Sequence, residues 1–194
     1  MSDTPSLRIA VADDEPVVRA YFEETLRDLG HEVVAVASTG AELVEACRRL
    51  KPDLIITDIR MPDTDGIDAA ERITAFHEAP IILVSALHDR ELVDRAERTT
   101  VLAYLIKPVR RPSLETAIAI AVQRYEQIRA LRTEAGDLRQ ALEDRKVIER
   151  AKGILSKRLG VDEDEAFGRL RTVAMEERKK IVEVARVIVR MEEG

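Results

Sequence analysis

Asp53-Leu54-Ile55-Ile56-Thr57-Asp58-Ile59-Arg60-Met61-Pro62-Asp63 is the stretch from which the rest of this 194-residue chain can be placed. Leu54 to Ile56 is apolar and β-branched, as a strand covered on both faces requires. A carboxylate, Asp58, ends it, and a loop closed by Met61-Pro62 and Asp65-Gly66 follows. Packing gives no reason to end a buried parallel strand on a charge. Ligands of open α/β sheets bind at the carboxyl ends of strands, close to the topological switch point. Asp58 therefore stands where chemistry is expected.

Working outward, the same alternation recurs on both sides. Upstream, Leu7 to Ala12 is an apolar run ended by Asp13-Asp14-Glu15, and Pro16 suits the first turn of a helix. Val17, Val18, Tyr21, Phe22, Leu26 and Leu29 recur at helical spacing before Gly30. Val33 to Ala37 predicts a strand, and Leu43, Val44, Cys47 and Leu50 predict a helix closed by Pro52. Downstream, Ile67, Ala70, Ile73 and Phe76 predict a helix. Ile81 to Ser85 predicts a strand, Leu92, Val93 and Ala96 a shorter helix, and Val101 to Ile106 a last strand before Lys107-Pro108. A helix restarts near Pro112. Five strands alternating with helices imply α/β architecture: a five-stranded, doubly wound parallel sheet.

Beyond Pro112 the pattern is helical only. Leu114, Ile118, Ala121, Tyr125 and Ile128 follow the 4-3 spacing of a coiled-coil seam, continued by Leu131, Ala135, Leu138 and Leu142 after one 3-3 step. An amphipathic helix packing on its own chain gives the same spacing. Ile148, Ala151, Ile154, Leu155 and Leu159 lead to a stop at Gly160. Asp162, with Glu165 three residues on, resembles a capping box. Two further helices, around Ala166 to Ala174 and Ile181 to Val189, complete a small all-α module of three helices.

Composition narrows the function classes. Net charge is −6, made of −7 over residues 1–112 and +1 over 113–194. Within 141–161, Arg145, Lys146, Arg150, Lys152, Lys157 and Arg158 outnumber three acids, which hints at an anionic partner; a mixed, solvated helix face gives the same count. Cys47 is the single cysteine, which excludes an internal disulfide and a cysteine-based zinc site, and its place on an apolar helix face suits a core thiol. No run reaches the ~20 apolar residues of a membrane span. The N-terminus lacks the features of a signal peptide, so a cytoplasmic location with no membrane partner is expected. His31, His77 and His88 are isolated, and no acid/base cluster outside the strand ends suggests an enzyme.

The strand ends carry Asp13-Asp14, Asp58, Ser85 and Lys107. Three carboxylates in one small space repel each other unless a divalent cation holds them, and carboxylate ligands favour Mg²⁺ or Mn²⁺. A lysine and a hydroxyl beside them suit phosphoryl oxygens. Phosphoryl transfer onto Asp58, with Ser85 and Lys107 binding the transferred group, is the reading these residues support. In this pattern, residues 1–120 resemble the receiver domain of two-component response regulators, a flavodoxin-like fold. That resemblance implies a sensor histidine kinase as donor, Asp13, Asp14, Asp58 and the Arg60 carbonyl as metal ligands, and Ser85 with Tyr104 as the pair that shifts on phosphorylation.

Residues 138–194, joined through a helical linker at 121–137, resemble the ANTAR family of RNA-binding antitermination modules. The likeness rests on Ala141-Leu142, Arg145, Ile148, Ala151 to Leu155, Ala166-Phe167, Leu170-Arg171, Ala174-Met175, Lys180 and Val184-Ala185. It implies an RNA partner with tandem hairpins, a homodimer formed on phosphorylation, and transcription antitermination. Arg145, Lys152, Arg171 and Lys180 are the candidate RNA contacts. Small residues permit close helix crossing, so the five alanines at 141, 151, 166, 174 and 185 are expected mainly to pack. Ser156 stands where methionine is common, and Arg178 where asparagine is usual. Two other outputs compete. A DNA-binding regulator is disfavoured by the acidic start Asp162-Glu163-Asp164-Glu165 of the second helix. A protein-interaction relay would need no nucleic acid.

Overall fold

The computed structural model describes residues 5–86 and 101–193. The chain divides into two compact units, Met1–Arg129 and Ala130–Gly194. In the first, β1 (Arg8–Ala12), α1 (Pro16–Asp28), β2 (Glu32–Ala37), α2 (Gly40–Leu50), β3 (Leu54–Asp58), α3 (Gly66–Thr74), β4 (Ile81–Ser85) and β5 (Val101–Ile106) follow in order. Helix α4 (Arg111–Leu159) then begins, and α5 (Glu163–Glu176) and α6 (Ile181–Glu193) end the second unit. The helix expected around Leu92, Val93 and Ala96, with His88, lies outside the described residues.

The five strands form one parallel sheet in the order β2-β1-β3-β4-β5. Side chains alternate between its faces. Ala10, Ile55 and Leu83 join Leu43, Cys47, Ile67 and Ile73 in a core under α2 and α3. Ile9, Val11, Leu54, Ile56, Ile82 and Val84 join Phe22 and Leu26 of α1, with Leu114, Ile118 and Ala121 of α4, in the other. Both faces are covered, so β3 and β4 are buried at every position. Cys47 is fully buried, and burial pushes its thiol up to about 12. Thr39 caps α2 by accepting the Glu42 amide, while the Glu42 carboxylate accepts the Ser38 amide. Helix α3 stops at Thr74, so Phe76 lies past its end rather than in it; its ring packs on the first core beneath the Arg48 guanidinium.

Helix α4 runs unbroken through Gly136. The expected coiled-coil seam divides along it. Leu114, Ile118 and Ala121 are buried in the sheet's second core, and full burial of each large aliphatic side chain is worth about 1.5–3 kcal/mol. Tyr125 donates its hydroxyl to the Glu78 carbonyl and Arg124 donates to the Leu102 carbonyl. This part of the spacing therefore serves the chain's own sheet. Leu131, Leu138 and Leu142 are instead 60–65% exposed.

The second unit packs Ala151, Leu170, Ala174, Val184 and Ala185 together, with Ile148 and Leu155 at the edge. Four of the five alanines are buried, as close helix crossing requires; Ala141 is exposed. Asp162 caps α5 by accepting the Glu165 amide at 2.8 Å, but the Glu165 carboxylate pairs with Arg169 instead of reaching back, so the capping box is half made. Gly160 takes φ +65 at the α4 stop, and the Ser156 hydroxyl donates to the Val161 carbonyl across that turn. A methionine at 156 could not make this bond. No helix among the described residues is long and apolar enough to cross a membrane.

Candidate functional site

Strand register assembles the site. Ala12 pairs with Thr57, which sets Asp13 beside Asp58, one residue further along parallel neighbours. Asp58 pairs with Val84, so Ser85 lies just beyond on β4, and Ser85 itself pairs with Ile106, the residue before Lys107. From β1 the chain winds outward to β2, then returns past β1 to add β3, β4 and β5 on the other side, and the acidic residues sit at the switch point between β1 and β3.

Loop chemistry then aims the side chains. Asp13 is fully buried, and its Oδ1 accepts the Glu15 amide at 3.0 Å. Arg19, one turn into α1, donates to the carbonyls of Asp13 (2.7 Å) and Asp14 (2.8 Å) and holds the loop. Asp58 is 5% exposed. The chain beyond it is fixed by Ile59 N–H donating to Val84 O (3.0 Å) and Gly66 N–H donating to Ile59 O (2.9 Å). A Cβ on Gly66 would lie 2.0 Å from the Asp58 carbonyl oxygen, so this close approach needs glycine.

Lys107 serves the cluster as a cation. Lys107 Nζ lies 2.9 Å from Asp58 Oδ2, 3.0 Å from Asp13 Oδ2 and 3.2 Å from Glu15 Oε1. Burial alone would lower the Lys107 pKa; the Asp58 and Asp13 carboxylates reverse this and keep it protonated. Burial raises the Asp58 carboxyl above its ordinary value, against the opposing pull of Lys107. The contact to Asp13 Oδ2 lacks hydrogen-bond geometry, and this buried oxygen has no hydrogen-bond partner. Carboxylate oxygens of Asp13, Asp14 and Asp58 lie within 4.8 Å of one another. A buried oxygen with an ion-pair contact but no hydrogen bond, in an all-oxygen set with excess negative charge, fits a hard divalent cation.

The structure thus brings Asp13, Asp14, Asp58 and Lys107 together, with buried Ser85 one residue past the Asp58 pairing partner. Arg60 is exposed in the loop two residues after Asp58, and Tyr104 is partly exposed in β5, paired with Leu83. Glu15, Arg19 and Thr57 belong to the site without having been singled out as ligands; the Thr57 hydroxyl donates to the Asp58 carbonyl at 3.1 Å. The sequence signal for Glu15 and Thr57 was adjacency to an aspartate; Arg19, five residues past Asp14, carried none.

In the second unit, Arg145, Arg171 and Lys180 are exposed, and their charged groups make no ion pair among the described residues. Lys152 differs. Its side chain is 14% exposed, bonded to Glu149 at 2.9 Å, paired with Glu163 at 3.5 Å, and 5.9 Å above the Phe167 ring. The Glu149 bond, with Glu163, raises its pKa.

The chain is similar to known proteins over both units. The family profile of the response regulator receiver domain matches residues 9–119, and that of the ANTAR domain matches residues 136–189. The transcriptional regulatory protein PdtaR of Mycobacterium tuberculosis is 42% identical over 182 residues, covering 94% of this chain and 89% of that protein. The chemotaxis protein CheY of Thermotoga maritima is 33% identical over 102 residues, 52% of this chain and 85% of that one. Among solved structures, the receiver domain of a modulated diguanylate cyclase from Desulfovibrio desulfuricans G20 superposes with a TM-score of 0.59 at 29% identity, covering 63% of this chain and 98% of that chain. The chain belongs to the two-component response regulators, with a receiver domain followed by an ANTAR output domain.

Proposed function

We propose that Asp58 is the phosphoacceptor and that its phosphorylation controls RNA binding by the ANTAR unit. The observation that carries this is Lys107 Nζ held 2.9 Å from a buried Asp58 carboxylate inside a cluster with surplus negative charge. An Asp58 oxygen attacks the phosphorus of a phosphohistidine on a sensor histidine kinase. The P–N bond breaks, histidine departs, and an acyl phosphate forms. Mg²⁺ or Mn²⁺ held by Asp13, Asp14, Asp58 and the Arg60 carbonyl would supply charge neutralisation. Lys107 is already placed to take a phosphoryl oxygen, and the Ser85 hydroxyl a second. Movement of Ser85 and Tyr104 would then alter the β5 surface.

In this reading phosphorylated chains pair through the exposed Leu131, Leu138 and Leu142 stripe of α4. Pairing raises the local concentration of two ANTAR units on an RNA with two hairpins and so promotes transcription antitermination. The organisation is a receiver over 1–120, a helical linker over 121–137 and the ANTAR unit over 138–194, acting in the cytoplasm. Labelling with acetyl phosphate tests the first step. Wild type takes up one phosphoryl group and Asp58→Asn takes up none; uptake at another residue in that variant refutes the assignment.

A relay onto a protein partner is the second reading. An apolar groove of about 470 Å³ in the second unit, lined by Leu155, Leu159, Val173, Val187 and Ile188, favours it. Sedimentation with a tandem-hairpin RNA separates the two: RNA carried by the phosphorylated dimer supports the antiterminator, and a dimer that ignores RNA supports the relay.

A further inference from the structure

Glu15 is the N-cap residue of α1, yet its side chain makes no capping bond to that helix. A carboxylate at this place would ordinarily gain from the unpaired amides of the first turn. Its Oε1 turns instead to Lys107 and accepts from Nζ at 3.2 Å. The same Nζ lies 2.9 Å from Asp58 Oδ2. One ammonium thus joins two carboxylates in opposite settings, since the Asp58 side chain is 7% exposed and that of Glu15 60% exposed. Asp58 forms the floor of the site and Glu15 its rim.

A groove of about 530 Å³ opens at this rim, walled by Val17, Tyr21, Pro108 and Val109, with Glu15 and Lys107 as its charged members. A phosphoryl group bound for Asp58 enters from the solvent side, so the group it departs from lies outward, toward the rim. Lys107 is engaged with Asp58 and then with the phosphoryl oxygens. The Glu15 carboxylate is the charge left to act on the departing group. Phosphodonors differ in that group. Protonated phosphoimidazole breaks a P–N bond, and the electron pair of that bond cancels the ring's positive charge as neutral imidazole leaves. Phosphoramidate releases ammonia from a positively charged nitrogen in the same way. Acetyl phosphate breaks a P–O bond, and acetate carries the pair away as negative charge.

We infer that Glu15, on the reading of Asp58 as phosphoacceptor, determines which donors are used: it favours those whose departing group is a positively charged nitrogen and disfavours those that release an anion. Between a partly positive and a largely negative departing group the charge differs by about one unit. At about 5 Å, with screening close to that of water, one unit is worth a factor of roughly 5 to 15 in rate. The apolar wall beside Glu15 adds a surface on which a flat imidazole can lie, Val17 being 80% exposed. A phosphohistidine has both properties, a ring and a cationic nitrogen. A small acyl phosphate has neither, so Glu15 keeps the receiver answerable to a kinase rather than to free acyl phosphates.

The test labels full-length protein with phosphoimidazole, phosphoramidate and acetyl phosphate at fixed Mg²⁺, and reads second-order rates of uptake by intact mass. Wild type, Glu15→Gln and Glu15→Lys are compared by the ratio of the phosphoimidazole rate to the acetyl phosphate rate. Effects common to all donors cancel in that ratio, including a freed Lys107, a changed metal affinity and a loss of stability. Glu15→Gln should lower the ratio roughly 5- to 15-fold, and Glu15→Lys should lower it further. Phosphoramidate should follow phosphoimidazole, because it shares the charge and lacks the ring. A ratio unchanged in both variants would overturn the inference and leave Asp58 standing as phosphoacceptor. Phosphoramidate that follows acetyl phosphate instead would also overturn it, since the ring and not the charge would then be selected. A wild type that no donor labels, or labelling that persists in Asp58→Asn, overturns the phosphoacceptor reading as well.

Discussion

Gly66→Ala should damage the receiver out of proportion to the one methyl group it adds. The new Cβ would stand 2.0 Å from the Asp58 carbonyl oxygen, 2.9 Å from the Asp58 carbonyl carbon and 3.2 Å from Ile59 Cα. Ordinary contact between these atom types is about 3.3 Å, so a gap of more than about 1 Å must open between two backbones. Neither side yields easily. β3 is buried throughout, and α3 is seated by Ile67, Ala69, Ala70 and Ile73. Overpacking of this kind costs about 1–3 kcal/mol, and stretching the Gly66 N–H bond to Ile59 O adds about 0.5–1.5 kcal/mol. A total near 3 kcal/mol corresponds to a fall of roughly 10 °C in the receiver's Tm. Calorimetry of the full chain reads the stability, and acetyl-phosphate labelling reads the site, whose uptake should slow because the backbone carrying Asp58 is displaced. Gly136→Ala is the control. Nothing lies within 4 Å of its Cβ, so it should stabilise helix α4 by about 0.8 kcal/mol. A Gly66→Ala protein with unchanged Tm and labelling rate would refute the close-approach argument.

Three other outcomes are expected. Mg²⁺ should stabilise the wild-type receiver by about 1.4 kcal/mol at ten times its Kd and leave Asp13→Asn unmoved; equal shifts in thermal scans of both would place the cation elsewhere. His31 accepts the Leu7 amide at Nδ1 (3.3 Å), and burial lowers its pKa, so its contribution is present above the unfolded value near ~6.5 and is lost as pH falls through the folded value. Urea midpoints should therefore drop between neutral and mildly acidic pH, less so in His31→Gln; identical drops would remove His31 as a cause. Arg178→Asn should stabilise the second unit by roughly 0.5–1 kcal/mol, because φ +53 suits asparagine better; a loss of stability in denaturant melts would contradict the backbone argument.

The sheet was legible because both of its faces are covered: Leu54 to Ile56 and Ile81 to Val84 had to be apolar at every position, and such runs have few other uses. The site was legible for the converse reason, since charges at the ends of those runs have no packing purpose. Spacing failed where two partners demand the same spacing. Leu114, Ile118 and Ala121 repeat as a coiled-coil seam does, yet they fill a core under the sheet. The two glutamates that hold Lys152 left no mark in the sequence, where it is one lysine in a basic stretch. Gly66 was visible as part of the loop closure, but the reason it must be glycine was not, because that comes from the neighbouring Asp58 carbonyl rather than from the turn. Asparagine at the position of Arg178 has a backbone explanation, the left-handed conformation, so the departure from the family pattern need not remove a base-reading group.

Helix α4 shows that one run of hydrogen bonds can belong to two cooperative units. Residues 114–125 are held by burial under the sheet and by the bonds of Arg124 and Tyr125, whereas Leu131, Leu138 and Leu142 of the 131–142 stretch stay exposed until another surface covers them. Amide protons should register the difference within a single element: exchange near Ile118 should require opening of the whole receiver, and exchange near Leu138 only local fraying. Protection of the 131–142 amides that rises with protein concentration or with phosphorylation would then report association directly, residue by residue, without any change in the helical content of the chain.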